Sequence, residues 1–327
     1  MTDTHVRVLS CGGTIASEPG EGGAAPAKAG QELVDRVPAL GDYADLSVEE
    51  MGSHPGFDMD FETVAATARA ARRAVEEDGA DGVVVTHGTD TLADTAYALD
   101  VTVASALDAP VAVTGSQRRF DEPSSDAPAN LLAAVRTAAD DRFAGGAYVA
   151  FDDEVHAARD AVKTHTNALD TFQSPGKGPV AEFTRAGVHV HRAPGSYSVD
   201  VAVPETAAFE ASVPVVHSGT GVGGEQVDAA LDRGADAVVV EGTGLGNVTG
   251  GLGDAIGRAT AHVPVVVSSR CHAGPTEPVY GTAGGAVTLR DHGALFAGDL
   301  STSKARVKLV LALAAGVGAD ALADLFD

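Results

Sequence analysis

Short, valine-rich apolar runs alternate with longer amphipathic stretches through the first half of the chain. Residues 6–10, 82–86, 110–114 and 146–150 are apolar at nearly every position, the pattern of strands covered on both faces of a parallel sheet. Stretches 60–78, 90–105 and 127–140 are alanine-rich with polar residues along one side, which predicts helices. Strand and helix in turn give an open, doubly wound, mostly parallel sheet. The rhythm is lost over 184–212, where Gly187, Pro194, Gly195 and Pro204 fall, and this stretch reads as a linker. It resumes with strands at 213–217, 237–240 and 264–268, helices at 224–232 and 303–315, and a short closing helix at 319–326. The expected architecture is two α/β domains, a larger N-terminal one over 1–183 and a smaller, parallel-sheet C-terminal one over 213–327. Ligands of such sheets bind beyond the carboxyl ends of the strands, so the turns that follow the runs are where chemistry is sought.

Composition narrows the class. Hydrophobic residues make up 44% of the 327, as in a globular protein. No stretch approaches the roughly 20 apolar residues that span a bilayer. The N-terminus, MTDTHVRVLS, has no basic segment leading into an apolar one and no twin-arginine signal, so a cytoplasmic location is expected. Acids outnumber bases 46 to 22, for a net charge of −24, and they are dispersed rather than gathered in a tail. A surface of that sign repels phosphate backbones and anionic lipid, which argues against nucleic acid and membranes as partners. The same bias, with lysine only at Lys28, Lys163, Lys177, Lys304 and Lys308 and no tryptophan, resembles proteins of extreme halophiles. There, molar salt shortens the Debye length to about 3 Å and screens the self-repulsion. Cys11 and Cys271 stand alone, without the spacing of a zinc site or a disulfide framework; Cys11 reads as a small buried hydrophobe rather than a nucleophile.

Three segments beside strands carry candidate chemistry. In Ser10-Cys11-Gly12-Gly13-Thr14, two glycines permit a sharp turn and leave a hydroxyl at the strand end. The third glycine of a dinucleotide-binding loop is missing. In Thr86-His87-Gly88-Thr89-Asp90-Thr91, Asp90 or Thr91 is expected to cap the next helix, whose N-terminal N–H groups suit an anion or a developing oxyanion. A hydroxyl beside a carboxylate there suits binding an amine and orienting water. His87 reads either as a general base or, more often for such a turn, as a structural histidine. The third segment, 159–166, contains Lys163. A threonine hydroxyl is a poor nucleophile unless a base takes its proton, and a lysine in apolar or cationic surroundings can serve as that base.

Taken together these segments resemble the L-asparaginase family. Cys11-Gly12-Gly13-Thr14-Ile15-Ala16 is similar to the family's TGGTIA element, Thr86-His87-Gly88-Thr89-Asp90-Thr91 to its THGTDT element, and Gly52-Ser53 to its substrate-binding GS pair. Matches at 114–118, 124–131, 159–164, 172–175, 242–247, 268–270 and 303–306 carry the resemblance almost to the C-terminus. The resemblance implies a two-step acyl transfer without metal or cofactor. Thr14 attacks the side-chain amide of L-asparagine and releases ammonia, and water then hydrolyses the β-aspartyl ester. Thr89, Asp90 and Lys163 form the second catalytic group; Asp90 also binds the substrate's α-amino group, alongside Thr89, and Ser53 its α-carboxylate. Homodimers or homotetramers are implied, with Asn247 reaching a neighbouring subunit's site and Glu277 as a candidate acidic partner.

The match breaks in the loop 17–30, where many family members carry a tyrosine that helps activate the first threonine. Ala24 or Ala25 stands there instead, with Tyr43 and Tyr280 as possible substitutes. The Gly-rich loop still suits a lid. Asparagine and glutamine differ by one methylene, a discrimination of only about 1–3 kcal/mol, so the preference is not set by these motifs. Two other functions share features with the chain. One is the asparaginase-like subunit of a tRNA-dependent amidotransferase, which carries an extra N-terminal domain and must approach RNA. The other is a non-catalytic amino-acid-binding relative that lost the loop tyrosine.

Overall fold

A computed structural model describes residues 3–20, 23–204 and 207–326, which form two compact units divided after Asp200. In chain order the first unit runs β1 (His5–Gly12), β2 (Ser17–Glu18), β3 (Ala25–Pro26), α1 (Gly30–Asp35), β4 (Asp45–His54), α2 (Phe61–Glu76) and β5 (Gly82–Thr86). It continues through α3 (Leu92–Thr102), β6 (Val111–Thr114), α4 (Ala127–Ala138), β7 (Ala147–Phe151) and β8 (Glu154–Ala157). The last strands are β9 (Val162–Lys163), β10 (Phe172–Gln173), β11 (Ala181–Thr184) and β12 (Gly187–Val190).

One sheet holds eight strands in the order β12-β11-β8-β7-β6-β5-β1-β4. The strands from β7 to β4 are parallel to one another, while β8, β11 and β12 add antiparallel pairs. Both faces are covered, which is why the runs are apolar at consecutive positions. Val83 and Val85 pack with Leu9, Val113, Ala71 of α2 and Leu99 of α3, while Val84 points the other way, onto Val8, Ala112, and Leu131 and Val135 of α4. Burial of each such valine stabilises the fold by about 1.5–3 kcal/mol, and the small alanine faces let the helices lie close.

Two edge strands were not expected. β4 reads Asp-Leu-Ser-Val-Glu-Glu-Met-Gly-Ser-His, too polar for the apolar-run signature, and it is held at the sheet edge partly by charge. Arg7 pairs with Glu49 at 3.2 Å and with Asp78 at 3.0 Å, and Arg73 reaches Glu49 at 2.6 Å. The stretch 184–212, read as a linker, starts inside the sheet: β12 folds back on β11 as an antiparallel hairpin that closes the opposite edge. Edge strands have one side to solvent and need no continuous apolar run, so their pattern is weak.

The second unit contains β13 (Val215–His217), α5 (Glu225–Asp232), β14 (Val238–Gly242), α6 (Gly250–Ala259), β15 (Val265–Ser269), α7 (Ala286–Asp291), β16 (Leu295–Phe296), α8 (Thr302–Ala314) and α9 (Ala319–Phe326). Its four strands are parallel in the order β13-β14-β15-β16. Val238, Val240, Val265 and Val267 pack with Leu252 and Ile256 of α6. The architecture is thus two α/β units, the larger mostly parallel and the smaller wholly so. Among the described residues no helix is long and apolar enough to cross a membrane.

Candidate active site

Three turns meet at the carboxyl ends of β1, β4 and β5. Gly12 and Gly13 both adopt positive φ, 91° and 84°, a region closed to most side chains. The turn is also closed by contact: a Cβ on Gly12 would lie 2.7 Å from the His54 nitrogen, and one on Gly13 would lie 2.3 Å from the Gly88 nitrogen. Gly88 in turn has no room for a Cβ, which would come within 2.3 Å of Gly56 Cα. Gly13 donates its N–H to the His54 carbonyl at 2.9 Å, and the Thr91 hydroxyl donates to the Gly56 carbonyl at 2.6 Å. Bare backbone packs against bare backbone. The turns bearing Thr14 and Thr89 are therefore held one residue away from a direct contact. Thr14 is half-buried at the start of a single 3₁₀ turn, Thr14–Ala16.

Lys163 reaches this place from the short β9–β10 ladder, where it pairs with Phe172. Its Nζ donates to Thr89 Oγ1 and to Asp90 Oδ1, each at 2.8 Å. Thr89 is buried, the Lys163 side chain is 17% exposed, and the Asp90 side chain is 52% exposed. A cation is thus shared between a buried hydroxyl and a carboxylate open to a ligand. Helix α3 starts at Leu92, with Thr91 at its N-cap and no side-chain capping bond. Thr91 thus holds the N-cap position without the expected capping bond: its hydroxyl is turned to the Gly56 carbonyl, and Asp90 is turned to Lys163.

The other candidate residues are placed as follows. Ser53 lies near the end of β4, exposed, and donates its hydroxyl to the Pro26 carbonyl at 3.0 Å. His87 is fully buried between the Gly88 carbonyl, 2.8 Å from Nδ1, and the Thr95 hydroxyl, 2.9 Å from Nε2. Burial pushes its pKa down to about 4, against the help of the Gly88 bond, so the ring is neutral and structural. Burial likewise raises the Cys11 thiol to about 11, which keeps it protonated and inert. Tyr43 precedes β4 and lines a cavity with Thr4, Asp81 and Pro110, at the amino ends of the strands. A strand as long as β1 separates that end from Thr14 by about 3.3 Å per residue, so Tyr43 does not substitute for a loop tyrosine. Ala25 lies in β3, paired with Glu18.

Asn247, Glu277 and Tyr280 belong to the second unit. The Glu277 N–H donates to the Leu245 carbonyl at 3.0 Å, which brings the Asn247 and Glu277 loops side by side. The Asn247 Oδ1 accepts from the Ala286 N–H at 3.1 Å, while Glu277 and Tyr280 are exposed. Two participants were missed from sequence. Gly56 is marked only by following Pro55, and Lys28 only by being one of few lysines, set among small residues.

Family comparison agrees with this arrangement. Residues 5–195 match the model described as "Asparaginase, N-terminal" and residues 212–326 that described as "Glutaminase/Asparaginase C-terminal domain". The chain belongs to the asparaginase family. Members of this family are amidohydrolases. The chain is 36% identical to a probable L-asparaginase of Deinococcus radiodurans over 98% of its own length and 97% of that protein. It is 35% identical to a subunit of the glutamyl-tRNA(Gln) amidotransferase of Aeropyrum pernix, over 95% of the chain and 75% of that protein. The crystal structure of a probable cytoplasmic L-asparaginase from Campylobacter jejuni superposes with a TM-score of 0.86 at 29% identity, covering 99% of each chain. That asparaginase-family likeness spans both units.

Proposed function

We propose that the protein hydrolyses L-asparagine to L-aspartate and ammonia through a threonine-linked acyl-enzyme. The observation that carries this reading is Lys163 donating to Thr89 and Asp90 at 2.8 Å beside the Gly13–Gly88 contact. Thr14 Oγ1 attacks the side-chain amide carbon; its proton passes to the departing nitrogen and ammonia leaves. Water then adds to the ester carbon and returns the proton to Thr14. Backbone N–H groups of the two threonine turns hold the oxyanion, a contribution of about 3–4 kcal/mol per donor in such sites. Lys163 fixes the Thr89 hydroxyl by donating to its oxygen, which leaves the hydroxyl proton free to orient substrate or water. Asp90, half-exposed, takes the substrate's α-amino group, and Ser53 takes its α-carboxylate. Asn247 and Glu277 serve a neighbouring subunit's site in a homodimer or homotetramer. The acidic surface suits a cytoplasm of high salt.

The test is ammonia release from L-asparagine and L-glutamine across a series from dilute buffer to molar KCl, with Thr14→Ala alongside. Release by the wild type and none by the variant is expected. A folded, oligomeric wild type that releases no ammonia at any salt overturns the reading. The likeness to the Aeropyrum amidotransferase protein favours a second reading, a part in tRNA-dependent amide transfer. Retention of charged tRNA by the protein would support it, whereas a surface of net charge −24 opposes it.

A further inference from the structure

The proposed chemistry leaves a buried cation close to Thr14 unused. The Lys28 side chain is only 3% exposed, and its Nζ donates to the Ser17 carbonyl and pairs with Glu18 Oε1, both at 3.2 Å. The carboxylate of Asp121 also feels its charge. Withdrawing an ammonium from water is costly, and among the described residues one carbonyl and a half-exposed carboxylate offset it only in part. An apolar side chain would fill the same space without that cost.

What Lys28 holds explains its presence. Thr14 lies between two anchored ends. On its N-terminal side, Gly13 is locked against His54 and Gly88. On its C-terminal side the chain enters β2, whose ladder among the described residues is the two-residue pairing of Ser17 with Pro26 and Glu18 with Ala25. So short a hairpin is marginal by itself. It is fastened at the root: the Ala27 and Lys28 N–H groups both donate to the Ala16 carbonyl at 2.9 Å, and the Ser17 hydroxyl donates to the Gly13 carbonyl at 2.9 Å. Lys28 completes the fastening through its side chain, from the return strand to the residues just after the Thr14 turn. The outer part of the hairpin has a different tie, from the Ser53 hydroxyl to the Pro26 carbonyl.

We propose that Lys28 is a positioning residue for Thr14, its buried ammonium fixing the C-terminal side of the nucleophile turn. The inference rests on Thr14 being the nucleophile. Displacement of a reacting atom by about 1 Å costs on the order of 10²-fold in rate. Lys28→Met keeps the length and removes the donor. It is expected to lower kcat on L-asparagine by about 10²-fold with KM changed by less than about threefold, since binding of the substrate's charged groups belongs to Ser53 and Asp90. With hydroxylamine added, the ratio of hydroxamate to aspartate formed should equal the wild type's, because the lesion lies in forming the ester and not in its partition. Lys28→Arg, which keeps a donor, should recover most of the rate. A folded Lys28→Met with kcat within threefold of wild type overturns the proposal, as does a loss confined to KM. If Lys28→Met does not fold, Glu18→Gln decides: a several-fold drop in kcat at unchanged KM supports the proposal, and an unchanged kcat overturns it. Ammonia release that is absent from the wild type, or untouched by Thr14→Ala, instead removes the underlying reading.

Discussion

At Lys163 one ammonium serves two acceptors of different kinds. Removing it as Lys163→Met leaves a buried hydroxyl and a half-exposed carboxylate with no cation between them. Groups that steer protons in a transition state contribute typically 10²–10⁴-fold, so kcat for ammonia release is expected to fall by about that factor. Steady-state kinetics beside a circular-dichroism check of the fold measures it; a loss under tenfold would show that Lys163 only braces the turn. His87 makes a prediction of another sort. Its folded pKa of about 4 lies below the ordinary 6.5, so between these values the unfolded chain binds a proton that the folded chain refuses. Stability from this group is therefore complete above about pH 6.5 and is lost as pH falls toward 4, by roughly 3 kcal/mol in all. Urea midpoints measured across that window should drop more steeply for the wild type than for His87→Gln; equal slopes would refute the assignment. At this scale the meeting of Thr89, Asp90 and Lys163 was legible from the resemblance of their strings taken together. Lys28 and the fate of the Thr91 hydroxyl were not, because both depend on partners that no local string announces.

Among elements, the parallel strands were legible because burial on both faces demands apolar residues at every position, as in β5. β4 and β12, at the two edges, escaped for the opposite reason, and so did the short β9–β10 ladder that carries Lys163. The candidate site draws on these weak elements: β4 carries Ser53 and Gly56 follows it, while β9 carries Lys163. The junction between strong and weak elements is the glycine contact. Gly88→Ala forces a methyl to 2.3 Å from the Gly56 backbone, and neither turn has a flexible side chain there that could yield. Overpacking of this kind costs about 1–3 kcal/mol or more, and the displaced turn should abolish most activity. Thermal melting together with the ammonia assay tests both parts. A variant of wild-type stability and rate would mean that the contact is looser than drawn.

For the whole molecule, charge is the property that matters most. With 46 acids against 22 bases, compaction brings like charges together, and salt relieves the repulsion. The melting temperature is expected to rise steadily from about 0.1 M to about 2 M KCl as screening tightens; a flat or falling trend would show an ordinary acidic protein.

The tie between Lys163 and Thr89 joins residues 74 positions apart. During synthesis on the ribosome, the turn that holds Thr89 and Asp90 is therefore made well before the lysine that ties them. A nascent polypeptide thus carries a hydroxyl and a carboxylate whose shared cation has yet to be made. That tie arrives only with β9, and any fragment that ends before β9 lacks it.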